Sequence, residues 1–202
     1  MNRQGEVKRK TRETDIHLWI DLDGTGDSKI DTGIGFLDHM LELFSRHGFF
    51  DLKVEAKGDI HVDYHHTVED IGICLGEAVT KALGEKKGIR RYGDVSLPMD
   101  EALASVALDI SGRGMLVFNV EFPDLTTGLD WDTVKRFDVE LIKEFFRAFA
   151  QHSSITIHIN LAYGENGHHI IEAIFKAFAK ALCLAVEVDR RIEGVLSTKG
   201  MI

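Results

Sequence analysis

His65-His66-Thr67-Val68-Glu69 recurs 103 positions later as His168-His169-Ile170-Ile171-Glu172, and the match extends to both sides. Downstream, Ile71, Leu75, Ala78 and Val79 fall on Ile174, Phe178, Ala181 and Leu182, one apolar stripe at helical spacing. Upstream, Leu52-x-Val54-x-Ala56 falls on Ile155-x-Ile157-x-Ile159, the period-two pattern of a strand buried on one face. Further back, Asp38-His39-Met40-Leu41-x-x-Phe44 aligns with Lys143-Glu144-Phe145-Phe146-x-x-Phe149, provided two extra residues are placed between this helix and the strand of the first copy. Each copy reads helix, strand, polar turn, helix.

More strands precede them: Ile16 to Ile20 in the first copy, and Ala104 to Ile110 with Met115 to Phe122 in the second. Gly24-Thr25-Gly26 and Ser111-Gly112-Arg113-Gly114 supply turn chemistry after them. A single copy would leave an apolar helix face uncovered. Packing four helices between two small sheets buries both faces, so the expected class is α+β with internal pseudo-two-fold symmetry. The expected halves are 1–94 and 95–202, meeting close to Asp94–Pro98. Asp124 to Asp132 has no periodicity and is expected to be a loop or flap.

The 202 residues, 44% hydrophobic, suffice for a packed core. Twenty-four basic against 33 acidic residues leave a net charge of -9 and no cationic stripe, which argues against nucleic-acid binding. Neither a signal-peptide core nor a membrane-length apolar run occurs, so a cytoplasmic protein without a membrane partner is expected. Cys74 and Cys183 lie in apolar runs and imply no disulfide.

Residues three and four apart share one side of a helix, so His65 or His66 can converge with Glu69, and His168 or His169 with Glu172. Imidazole nitrogen with carboxylate oxygen suits divalent ions of intermediate hardness. One such string is weak, since histidine pairs often cap helices or face solvent. Two at equivalent positions of a repeat point to a paired metal site. His39, in the apolar run Phe36 to Leu41, could be a core histidine, but its repeat partner Glu144 favours ligation. His39, His65, His66, Glu69, Glu144, His168, His169 and Glu172 make eight donors, enough for two ions with open positions for substrate or water. His17, His61, His152 and His158 are read as surface or hydrogen-bonding residues. His47, before Gly48, is either a helix-end residue or a participant near the site.

At these motifs the chain resembles the imidazoleglycerol-phosphate dehydratase family over nearly its whole length. The matching strings include Arg9-x-Thr11-x-Glu13-Thr14, Phe36-Leu-Asp-His-Met-Leu41, Asp63-x-His-His-Thr-x-Glu-Asp70, Arg91-x-Gly93-Asp94, Met99-Asp-Glu-Ala102, Ser111-Gly-Arg113, Gly164-x-Asn-x-His-His169 and Ser197-x-Lys-Gly200. The resemblance implies duplicated ribosomal-S5-domain-2-like halves with four-stranded sheets, two manganese ions per active site and a 24-subunit homo-oligomer built from trimers. Many family members carry His where this chain has Glu144. A carboxylate can also bind manganese.

The resemblance further implies a small phosphorylated imidazole as substrate. Dehydration would run through a metal-bound imidazolate and a diazafulvene, with histidine biosynthesis as the pathway. It points to Glu13 for proton transfer, with His47 and Asp100 as secondary candidates. For the phosphate it points to Arg91, Arg113, Lys176, Ser197 and Lys199. Two other functions fit a di-metal protein: a dinuclear metallohydrolase, and a metal-clipped structural assembly protein.

Overall fold

The computed structural model describes residues 3–123 and 137–202. The expected flap at Asp124 to Asp132 lies outside the described residues.

The first half runs β1 (Gln4–Lys10), β2 (Thr14–Asp21), β3 (Ser28–Asp31), α1 (Gly35–Gly48), β4 (Asp51–Gly58) and α2 (His65–Leu83). The second repeats the order as β5 (Tyr92–Met99), β6 (Ala102–Asp109), β7 (Met115–Asn119), α3 (Glu140–Ser153), β8 (Thr156–Tyr163) and α4 (Gly167–Val186). Each half forms one four-stranded mixed sheet, ordered β1-β2-β4-β3 and β5-β6-β8-β7. In both, the third strand pairs parallel with the fourth while the others pair antiparallel. The fold is α+β, as expected. Residue 95, where the second half was expected to begin, lies inside β5, and we place the boundary in 84–91, before that strand.

Alternation decides which sheet face is covered. Ile16, Leu18 and Ile20 of β2, like Ala104, Val106 and Leu108 of β6, are buried, and the residues between them face outward. α2 packs on β1, β2 and α3, and α4 packs on β5, β6 and α1, so each long helix is covered by its own sheet and by a short helix of the opposite half. At the centre, Phe178 has its ring centroid 5.3 Å from Phe44, 5.1 Å from Phe146 and 5.0 Å from Phe149, joining α4 to both short helices.

Two glycines show how tightly the repeat is held. A Cβ on Gly5 would lie 1.9 Å from the carbonyl oxygen of Ala78, and one on Gly93 would lie 1.9 Å from that of Ala181. The first strand of each sheet thus touches the backbone of its own long helix at equivalent points, and only a residue without a side chain fits.

The register corrects one detail of the sequence alignment. Ile20 pairs with Leu52 and Leu108 with Ile157, so Leu52 corresponds to Ile157 rather than to Ile155. α1 and α3 also end alike, on left-handed residues Phe49 (φ 58) and Ser154 (φ 55). The extra residues of the first copy therefore lie between strand and helix, in 59–64, and not between helix and strand. A slip of two preserves strand parity, which is why both alignments bury the same face.

Candidate active site

α1 and α4 lie side by side and bring His39, from the first half, to His168 and Glu172 of the second. His39 Nε2 is 3.1 Å and His168 Nε2 2.9 Å from the same oxygen, Glu172 Oε1, and the three donor atoms all lie within 4.8 Å of one another. Glu172 is buried, and its Oε2 accepts from Lys176 Nζ at 2.5 Å. Burial alone would raise this carboxyl, but the bonds from Lys176, His39 and His168 outweigh it and bring it down to about 2.

A divalent cation fits these residues. Neighbouring donors on an ion with bonds of about 2.1 Å lie roughly 3 Å apart, which is the spacing of the two histidine nitrogens from Glu172 Oε1. The donor set, two imidazoles and an ionised carboxylate, is one that manganese-type ions accept.

The repeat-related set is Glu144, His65 and Glu69, on α3 and α2. His65 Nε2 is 3.8 Å from Glu69 Oε2, while Glu144 bonds to Arg147 at 2.8 Å, so these three do not close into a cluster. The first triad is the one cluster of three such donors among the described residues. His66 and His169 are turned elsewhere. His66 Nδ1 is 3.0 Å from Asp59 Oδ2, and His169 Nδ1 is 2.7 Å from Glu101 Oε2. The hydrogen bond that His66 makes to Asp59 raises the pKa of His66, and the bond from His169, followed by that from the Asn166 backbone, lowers Glu101 to about 2. The long helices start alike: Asn166 accepts from the backbone N–H groups of His168 and His169, and Asp63, its repeat counterpart before α2, accepts from that of His65 at 2.8 Å.

Glu13 lies in the β1–β2 turn, 54% exposed, with Oε1 3.9 Å from His66 Nε2. That turn is anchored from below: Thr11 Oγ1 accepts from the Glu13 N–H, and buried Thr14 donates to Asp70, which also binds Arg9. Asp100, in the tight β5–β6 turn with φ 47, has Oδ2 3.8 Å from His169 Nε2. His47 sits in the last turn of α1, where burial, then the charges of Lys176 and Lys180, lower its pKa.

Four of the five expected phosphate residues meet. Arg91, Arg113, Ser197 and Lys199 line one cavity of about 760 Å³, to which Arg191 adds a cation that was not anticipated. Arg91 is already engaged: its guanidinium binds Asp109 at 2.7 and 3.1 Å and donates to the Leu196 carbonyl, tying down the tail that carries Ser197 and Lys199. Lys176 is not part of this cavity and bonds instead to Glu172 and to Met99 Sδ. None of the eight metal candidates lines the cavity either.

The family model for imidazoleglycerol-phosphate dehydratase matches residues 32–182. The chain belongs to the imidazoleglycerol-phosphate dehydratase family. It is 56% identical over 202 residues to the imidazoleglycerol-phosphate dehydratase of Geobacter sulfurreducens and 58% identical over the same length to that of Acetivibrio thermocellus, covering 100% of each chain. Among solved structures, the dehydratase of Staphylococcus aureus superposes with a TM-score of 0.79 at 42% identity, over 92% of this chain and 99% of that one. The dehydratase of Pyrococcus furiosus, solved in complex with (S)-C348, superposes at 0.81 and 37% identity, over 97% of this chain and 100% of that one.

As a member of this family the chain is a metal-dependent hydro-lyase of histidine biosynthesis acting on a small molecule, which sets aside the hydrolase and the structural clip. Among the described residues, no helix is long and apolar enough to cross a membrane. Asp59, Glu101 and Arg191 escaped the sequence reading. Glu101 could have been suspected, since it lies inside the string Met99-Asp-Glu-Ala102; Asp59, four residues before the nearest string, and Arg191 carry no such signal.

Proposed function

We propose that the chain dehydrates imidazoleglycerol phosphate to imidazoleacetol phosphate, with two manganese ions per active site, as a cytoplasmic homo-oligomer of 24 subunits built from trimers. The observation that carries this reading is the convergence of His39 with His168 and Glu172; the repeat supplies Glu144, His65 and Glu69 as the candidate donors of a second ion. With His66 and His169 as further ligands the eight donors make four per cation, which leaves positions on a six-coordinate ion open for substrate.

Bound divalent ions would supply positive charge that favours the imidazolate form of the substrate ring. The ring electrons would then expel the hydroxyl, which takes up a proton and departs as water, giving a diazafulvene whose neighbouring C–H is acidic; loss of that proton to a base would return the electrons to the ring and leave an enol that tautomerises to the ketone. Glu13 is suited to take the proton, being exposed and fixed by its backbone, with Oε1 3.9 Å from Nε2 of His66. Asp100 holds the corresponding place beside His169 and is the second proton carrier. Arg113, Lys199 and Ser197 hold the phosphate, with Arg91 fixing the tail that presents two of them.

The same geometry supports oligomerisation. The phosphate cavity and the metal donors have no lining residue in common within one chain. A substrate carrying both an imidazole and a phosphate is served when the cavity of one copy meets the donors of another.

Incubating manganese-loaded protein with imidazoleglycerol phosphate should release the ketone; none from metal-replete protein would remove the assignment. Glu13→Gln should keep its metal while slowing turnover about 10²–10⁴-fold, and a parental rate would end its proton-transfer role. Native mass measurement tests the 24-mer.

A further inference from the structure

Resting on the metal reading above, we infer that Glu101 and Asp59 are positioning residues that set the tautomer of His169 and His66, so that each ring presents an Nε2 lone pair to a cation. A neutral imidazole carries one N–H, and an ionised carboxylate can only accept. A carboxylate held at Nδ1 therefore keeps the proton there and leaves Nε2 free to ligate.

Both carboxylates have little else to do. Glu101 is pinned at one oxygen, where Oε1 accepts from the backbone N–H groups of Asn166 at 2.8 Å and Glu165 at 3.3 Å, and its Oε2 is given to His169 at 2.7 Å. Asp59 Oδ2 accepts from His66 Nδ1 at 3.0 Å, while its Oδ1 is buried without a hydrogen-bond partner among the described residues. That carboxylate is held in a costly place with the imidazole as its compensation.

The repeat makes the arrangement more telling. The register pairs Lys10 with Asp15 and Pro98 with Leu103, so in these strands the halves correspond 88 residues apart, and Glu101 is the counterpart of Glu13. Asp59 directly follows β4 as Gly164 directly follows β8, and Gly164 has no side chain to offer His169. The two halves thus reach the same contact from non-equivalent positions, which inheritance of the duplicated backbone does not explain. It also accounts for a division of labour. In the first half Asp59 occupies Nδ1, so Glu13 stays free, 3.9 Å from His66 Nε2. In the second half Glu101 is consumed in orienting His169, and the free acid, 3.8 Å from Nε2, is Asp100.

The pinned oxygen makes the test directional. In Glu101→Gln the amide's single oxygen is claimed by the two backbone N–H groups, so its NH₂ faces His169 Nδ1 and donates to it. The ring proton is forced onto Nε2, the inversion that Asp→Asn produces in a Ser-His-Asp triad. Glu101→Ala lets the ring choose. Calorimetric titration of the metal-stripped full chain with manganese chloride should show affinity falling about tenfold in Glu101→Ala and about 100-fold in Glu101→Gln. A residue that merely braced the turn would give the opposite order, because glutamine keeps the size and the backbone bonds. That opposite order, or parental affinity in both, overturns the inference.

Asp59→Ala carries the test in the other half, with about a tenfold loss expected and unchanged affinity counting against it. His169→Ala separates the two levels. If it binds manganese as the parent does, the metal reading fails and the inference with it. If it loses metal while Glu101→Gln does not, the inference alone is wrong.

Discussion

Glu172 and Lys176 form a buried ion pair whose energetics can be isolated in metal-free protein. Their side chains are 9% and 13% exposed and their charged atoms 2.5 Å apart, one turn apart on α4. An exposed helical pair of this kind is worth about 0.3–0.5 kcal/mol, but burial changes the sum. Glu172→Gln strands the ammonium, for which Met99 Sδ is a weak substitute acceptor, and should destabilise by about 3–5 kcal/mol. Lys176→Met leaves Glu172 with bonds to His39 and His168 and should cost less, about 1–3 kcal/mol.

The double variant removes both charges at similar volume, so its loss should fall well short of the sum, by about 2–3 kcal/mol. Urea unfolding of the four chelator-stripped proteins at neutral pH measures the cycle. Losses that add within about 0.5 kcal/mol would refute the claim that Lys176 exists to hold Glu172 in its charged, ligand-ready form, and would return Lys176 to the pool of phosphate donors.

Gly5→Ala and Gly93→Ala should each destabilise by about 3 kcal/mol or more, since a methyl 1.9 Å from a helix carbonyl must push strand and helix apart; denaturant midpoints check both, and a harmless substitution at either would contradict the packing. Arg113→Ala should raise KM far more than it lowers kcat, because the phosphate is remote from the reacting carbons. Arg91→Ala should instead make the tail from 194 onward more accessible to protease, as its guanidinium is spent on Asp109 and the Leu196 carbonyl.

Much of the architecture was legible because duplication prints itself in local patterns. Helix stripes, strand parity and the doubled His-His-x-x-Glu strings all repeat along the chain, and each is a one-dimensional consequence of a periodic backbone. The same locality set the limits. A period-two strand cannot distinguish a slip of two residues, so the alignment placed the extra segment on the wrong side of β4, and only the pairing of Leu52 with Ile20 resolved it.

The site shows the same division more sharply. The sequence by itself determined the donor types, their doubling and the helix ends that carry them, since residues three and four apart on a helix share a side whatever surrounds it. Only tertiary structure decided that His39 crosses to the other half to join His168 and Glu172, that Arg91, Arg113, Ser197 and Lys199 meet in one cavity, and that Asp59 and Glu101 hold the remaining histidines. These choices depend on distances between segments up to 133 residues apart in sequence. They are set by how two sheets and four helices close over one core, and no local periodicity encodes them.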